Sequence, residues 1–231
     1  MARLLRSIGA LVVIAIDGPG GVGKSTASRA VAAALDLPYL DTGSTYRAAT
    51  FAVLSDEVDI HDEEAILAVI GAHTIGYDER GILLDGMLID RDVRSTPVTQ
   101  TVSAVSAHPR VRAEIVALQQ DWVAQHDGAA VVEGRDIGTV VFPDAPVKVF
   151  LTARPEVRAQ RRAGDDEASG ASVDDIAKDL ERRDTADAGR ATSPMRPADD
   201  ATIIDTSDLD IDGVVGTILA LVEQARSNAK Q

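Results

Sequence analysis

Eight consecutive residues, Gly18-Pro19-Gly20-Gly21-Val22-Gly23-Lys24-Ser25, fit the pattern G-x-x-x-x-G-K-[ST]. Glycines let a backbone curl until successive N–H groups point at phosphate oxygens. A helix that begins at the lysine adds partial positive charge at its N-terminus. In such a loop Lys24 reaches the β- and γ-phosphates and Ser25 offers its hydroxyl to Mg²⁺. Gly18, Pro19, Gly20, Gly21, Val22, Gly23, Lys24, Ser25 and Thr26 are therefore the candidate cradle for a nucleoside triphosphate such as ATP. The bland alternative is a glycine-rich turn that only starts a helix. An apolar strand before the motif and a helix after it favour the phosphate reading. Asp17, just ahead of the loop, is read either as ordering it or as reaching Mg²⁺ through water.

Three more segments carry charge at the ends of apolar runs. They are Asp41-Thr42-Gly43-Ser44-Thr45-Tyr46-Arg47, Glu133-Gly134-Arg135-Asp136, and Arg183-Asp184 followed by Asp187 and Arg190. Arginine's fork suits phosphate and carboxylate. Arg154, Arg158, Arg161 and Arg162 follow at i, i+4, i+7 and i+8, a spacing that puts them on one helix face. Like charges at that spacing destabilise an isolated helix by roughly 0.2–0.5 kcal/mol per pair. A bound polyphosphate would reverse that sign, and the face reads as a lid that closes on ATP and excludes water. The alternative is pairing with Asp165, Asp166 and Glu167 in the next loop.

The elements that must position these groups read as an α/β fold. Five short β-branched runs look like buried parallel strands: Val12–Ile16, Pro38–Leu40, Ala130–Val132, Val147–Leu151 and Thr202–Ile204. Helical patterns lie between them, among them Lys24–Leu35 and Asp210–Ala225. The latter has Val214, Val215, Ile218, Leu219 and Val222 on one stripe. Pro97, Pro109 and Pro155 each sit where a helix can take its first residue. Alternation of this kind implies a mostly parallel sheet with right-handed crossovers. Two stretches break it. Residues Thr74–Asp90 alternate around Asp85-Gly86 and read as a small antiparallel meander. Residues Gly164–Ser172 are Gly/Asp/Ser-rich and read as a mobile loop.

Composition excludes other classes. The 231 residues contain no cysteine, which removes disulfide scaffolds, thiolate metal sites and cysteine nucleophiles. His61, His73, His108 and His126 make no metal spacing. The net charge of −14 argues against binding nucleic-acid polymers or anionic membranes. Four lysines leave 19 of the 23 basic residues as arginine. Arg3 and Arg6 before the apolar run Ile8–Ile16 mimic a secretory signal, but the run leads straight into Asp17-Gly18 and is taken as the first strand. A cytoplasmic monomer is expected. The only asparagine is Asn228, so a guanine-reading N-K-x-D element is absent.

Taken together, IDGPGGVGKST, LDTGSTYR, HPRVR, VVEGRDIGTVVFPDAPVKVFLTA, RRD and IIDTS resemble the bacterial cytidylate (CMP) kinase family of nucleoside monophosphate kinases. The resemblance runs from about Val12 to the last helix. It departs locally at Ser44-Thr45, where the family usually has Ala and a larger apolar residue. It implies transfer of the γ-phosphoryl of ATP to CMP or dCMP with Mg²⁺, on a five-stranded parallel core with a monophosphate-binding insertion and a short lid. The chain then divides into core (1–41), insertion (42–128), core (129–153), lid and arginine-rich helices (154–194), and core with the final helix (195–231). The resemblance further implies that Arg47, Arg135 and Arg190 grip the CMP phosphate. Ser103, Arg112 and Asp136 match positions that read the cytosine edge, and Arg183 and Asp187 match positions near the sugar. Asp187 would alternatively pair with Arg183 or Arg190. Tyr46 is a base or sugar contact or plain packing. Thr42 faces the substrate and caps its helix. Lys24, Arg135, Arg190, Arg158 and Arg162 form the catalytic set, which neutralises charge and needs no base. The rivals are a related kinase acting on UMP, dTMP or a metabolite, and a non-catalytic nucleotide-binding regulator.

Overall fold

The computed structural model describes residues 13–78, 80–164 and 172–229. The chain forms two compact units, one of residues 1–41 with 120–231, the other of residues 42–119.

The first unit is built on five strands: β1 (Val13–Asp17), β2 (Tyr39–Asp41), β6 (Ala130–Gly134), β7 (Val147–Thr152) and β8 (Thr202–Asp205). They lie in the order β2-β6-β1-β7-β8, and every neighbouring pair is parallel. All five runs read from the sequence are strands, each within a residue or two of its expected ends; Val12 lies outside the described residues. The strands are continuous apolar runs because helices cover both faces. Helix α1 (Lys24–Leu35) buries Ala27, Val31 and Ala32, and the last helix, α8 (Ile211–Asn228), buries Val214, Ile218 and Val222. These pack with Ile14, Ile16, Val131, Val149 and Leu151 of the sheet. Val215 and Leu219, the rest of the expected stripe, are partly buried against the same cluster. Asp210 caps α8, its carboxylate accepting from the Gly213 amide at 2.8 Å.

Between the strands run a single π-turn over Ile137–Val141, helix α6 (Pro155–Ala163) and helix α7 (Val173–Ala188). Ala159 of α6 packs with Ile176 and Leu180 of α7. Ser172 caps α7. The loop expected over Gly164–Ser172 falls, apart from those two end residues, outside the described residues, as do Asp165, Asp166 and Glu167.

The second unit holds α2 (Thr42–Ser55), α3 (Glu63–Ala72), strands β3 (Ile75–Asp78), β4 (Gly81–Leu84) and β5 (Met87–Leu88), α4 (Thr96–Val105) and the start of α5 (Pro109–Gln125). The three strands form the expected antiparallel meander. Asp85 and Gly86 both have positive φ (51° and 78°), the backbone that a two-residue hairpin between right-twisted strands demands. Ala49, Val53, Ile66, Ile70, Ile82, Val93, Val111 and Ile115 make a separate core. The unit ends at Gln119 rather than at residue 128. The insertion implied by the resemblance runs to residue 128, whereas the division of the structure falls inside the unbroken helix α5. Pro109 and Pro155 are the first residues of α5 and α6, but α4 starts one residue before Pro97.

Candidate active site

The C-terminal ends of β1, β2 and β6 come together by register. Asp17 lies opposite Gly134, and Glu133 lies opposite both Ile16 and Asp41. Ligands of open parallel sheets bind beyond this edge. The segment Gly18–Gly23 leaves β1 here and feeds α1.

Two glycines in it have no substitute. Gly18 has φ 144°, and a Cβ there would lie 2.2 Å from the Leu151 carbonyl oxygen. Gly21 has φ 77°, and its Cβ would lie 2.8 Å from the Arg158 carbonyl oxygen. Gly23, at φ 87°, occupies the N-cap position of α1 without a side-chain cap. By contrast α3, α7 and α8 are capped by Asp62, Ser172 and Asp210. The first amides of α1 thus keep the donor capacity that other helices spend on a side chain.

The loop's carbonyls are held by cations. Arg135 Nη1 donates to Gly18 O at 2.9 Å, Lys24 Nζ to Pro19 O at 2.7 Å, and Arg158 Nε to Gly20 O at 2.7 Å. Lys24 is buried, and burial pushes its ammonium down to about 7. Neighbouring Arg135 pushes the same way, while Glu133, Asp17 and Asp41 oppose. Ser25 is half-buried, and its hydroxyl bonds the Glu133 carboxylate; Thr26 is exposed. Glu133 is itself 2% exposed and also accepts from the Tyr39 hydroxyl. Burial, and then Asp41, raise its carboxyl above the usual range.

Asp17 orders a different loop from the one expected. Its two carboxylate oxygens accept from the amides of Ile137 and Gly138, both at 2.8 Å. It therefore clamps the π-turn after β6, not the glycine loop. Burial raises it to about 6, against the pull of those two amides.

An arginine cluster follows. Asp187 accepts from Arg135 Nε on one oxygen at 3.0 Å and from Arg190 on the other. Of the two partners expected for Asp187, Arg190 is found; Arg183 instead pairs with Asp179 at 2.8 Å. Asp136 is buried. Arg158 pairs with Asp184, the neighbour of Arg183 in the chain. The four arginines expected on one face of α6 separate. Arg154 precedes the helix and makes a two-pronged, exposed pair with Asp208 at 2.7 Å. Arg161 bonds Thr206, and Arg162 is half-buried. The spacing fixed angles about a helix axis, but partners from the turn after β8 and from α7 chose the destinations.

In the second unit Thr42 is the first residue inside α2, one position past a cap. Tyr46 belongs to the core, with the Arg112 guanidinium 5.0 Å from its ring centre, which favours the packing alternative. Arg112 is 3% exposed and donates to Ser106 O at 3.3 Å. Arg47 and Ser103 are half-buried. Among the described residues no group of three or more His, Asp or Glu could hold a metal by itself. Glu133, Tyr39, Asp184 and Thr206 were not singled out as site residues from sequence. Glu133 left a signal there as a carboxylate ending an apolar strand, and Asp184 and Thr206 lie within the quoted motifs RRD and IIDTS.

Comparison with known proteins bears on the same residues. The chain matches the family described as Cytidylate kinase over residues 14–224. A cytidylate kinase of Corynebacterium glutamicum is 47% identical over 226 residues, covering 95% of this chain and 98% of that protein. One of Streptomyces avermitilis is 49% identical over 220 residues, covering 94% of each. The fold resembles that of an uncharacterized protein from Eubacterium ventriosum, with TM-score 0.51, 11% identity, and coverage of 93% and 99%. The family match includes the phosphate loop, Glu133 and the Arg135–Asp187–Arg190 cluster, and on it the chain belongs to the cytidylate kinase family.

Proposed function

We propose that this chain transfers the γ-phosphoryl group of ATP to CMP and dCMP, giving ADP and CDP or dCDP in pyrimidine nucleotide metabolism. The observation that carries the reading is Arg135 and Arg190, from separate motifs, sharing the two oxygens of one carboxylate. Two guanidiniums so placed are suited to share a phosphate. The acceptor is a phosphate oxygen, already anionic near neutral pH, so the residues need supply no base. Lys24 and Arg158 neutralise charge on the transferring group, and Arg162 adds to it from the same helix. Arg135, Arg190 and Arg47 take the acceptor phosphate. Asp136, Ser103 and Arg112 read the base; Asp can accept from the cytosine N4 amine. Arg183 and Asp187 serve the sugar, with Thr42 and Tyr46 as further acceptor-side residues.

The donor set fits Mg²⁺. Ser25 and Glu133 offer hard oxygens, and Glu133 lies close enough to Asp41 for repulsion to raise its carboxyl, a strain that a divalent cation relieves. Asp17 is the further, water-mediated candidate. When bound, Mg²⁺ neutralises phosphate charge. The protein is taken as a cytoplasmic monomer acting on small molecules. None of the described helices is long and apolar enough to cross a membrane.

ADP release measured with CMP, dCMP, UMP, AMP and dTMP tests the reading. Turnover should be highest with CMP and dCMP. A different best acceptor would move the chain to another substrate, and no turnover with any would favour a regulator.

A further inference from the structure

A fourth grip on the glycine loop involves Thr206 and Arg161, which the proposed reaction leaves unused. The Val22 carbonyl accepts from Thr206 Oγ1 at 3.0 Å and from Arg161 Nη1 at 3.4 Å. Arg161 also reaches Thr206 with both prongs: Nη1 donates to Oγ1 at 2.9 Å and Nη2 to the carbonyl oxygen at 2.6 Å. Thr206 is anchored in turn. Its amide donates to Thr152 O at 2.8 Å, at the end of β7, and its hydroxyl lies 3.1 Å from the same oxygen. Thr206 is 2% exposed. Val22 is 1% exposed and belongs to the sheet's core cluster.

A trans peptide is rigid, so its C=O and the next N–H point opposite ways. Fixing the Val22 carbonyl from outside the loop fixes the Gly23 amide toward the loop's inner side. Gly23 immediately precedes Lys24. Both neighbouring peptides have positive-φ glycines beside them, at Gly21 and Gly23, so the backbone itself resists rotation little here. Something outside must set the plane.

We propose that Thr206 and Arg161 are positioning residues for the donor nucleotide, which hold the Val22–Gly23 peptide so that its N–H faces phosphate. Arg161 is thereby separated from Arg158: it serves the loop through Thr206 and is not a lid arginine. The inference rests on reading this loop as the ATP site, and is independent of which acceptor is used.

The test measures ATP affinity by equilibrium titration without acceptor, and the KM of ATP and of CMP, in Thr206→Val, Thr206→Ser and Arg161→Met. Loss of the hydroxyl in Thr206→Val should weaken ATP binding about tenfold and leave the KM of CMP within about twofold. Thr206→Ser keeps the hydroxyl and should restore wild-type ATP affinity. Arg161→Met should weaken ATP as Thr206→Val does, and it answers the question if Thr206→Val fails to fold. Unchanged ATP affinity in Thr206→Val or Arg161→Met would overturn the proposal. So would a Thr206→Ser as weak as Thr206→Val, which would assign the effect to methyl packing. Equal losses in the KM of ATP and CMP would mean general disruption and overturn it too. Failure of the acceptor assignment shows separately, as ATP binding without CMP turnover.

Discussion

Asp187 is the residue on which two arginines meet, and removing one of them isolates its role. Arg190→Ala leaves Asp187 paired to Arg135 alone. If Arg190 serves the acceptor phosphate as proposed, turnover should fall by about 10²-fold or more while ATP affinity stays within about twofold. Single-turnover kinetics beside an ATP titration check this, and unchanged turnover removes Arg190 from the site. Asp136→Ala should erode the preference for CMP over UMP, read as the ratio of kcat/KM values. Lys24 gives a pH prediction. Its ammonium is pushed down to about 7, and a polyphosphate favours the charged form, so its pKa rises on binding. ATP binding should therefore take up a proton at pH 8 and much less at pH 5.5, read by calorimetry in buffers of different ionisation enthalpy. The glycines, Lys24 and Ser25 were legible in sequence because they are contiguous and geometry dictates their types. The pairing of Arg135 with Asp187 was not, since 52 residues separate them and any of several arginines could have served.

At the scale of elements, the turn out of β1 is closed by contact with β7. Gly18→Ala would put a methyl 2.2 Å from the Leu151 carbonyl oxygen at a φ of 144°. That should cost about 2–3 kcal/mol or more in urea unfolding and lower ATP affinity as the loop shifts. Strands and helices were largely legible. The apolar runs are short and β-branched, and the stripe on α8 has the helical period. The arginines of α6 show the limit. A helical wheel places Arg154 and Arg158 on one side, but Asp208 draws one outward and Asp184 with the Gly20 carbonyl draws the other inward. Periodicity describes one element, and partners come from others.

At the scale of the molecule, the charge of −14 and the arginine cluster coexist because the cluster's cations are matched from within. Arg135, Arg190 and Arg158 pair with Asp187 and Asp184, and Lys24 lies near Glu133, Asp17 and Asp41. The second unit carries a separate pH response. His73 Nδ1 lies 2.6 Å from Asp85 and Nε2 lies 3.2 Å from Asp56, which raise its pKa, Asp85 first. A raised histidine pKa stabilises fully below about 6.5 and loses the effect as pH climbs through the folded value. Wild type should therefore lose more thermal stability than His73→Asn between pH 6 and pH 9. Parallel curves would show that the two carboxylates do not hold the ring. The border at Gln119 was the least legible feature, since no composition shift marks the middle of a continuous helix.

The clamp at Asp17 also dictates an order of assembly. Strand β1 is the middle strand of its sheet, yet both its neighbours, β6 and β7, are more than 110 residues further along the chain. The amides that satisfy Asp17 come from residues 137 and 138. During synthesis β1 leaves the ribosome before β6 and β7 and waits for both while residues 42–119 are made. The loop after β1 is therefore translated long before Arg135, which holds its Gly18 carbonyl, so a nascent chain should not bind a nucleotide tightly until β6 and the turn after it have emerged.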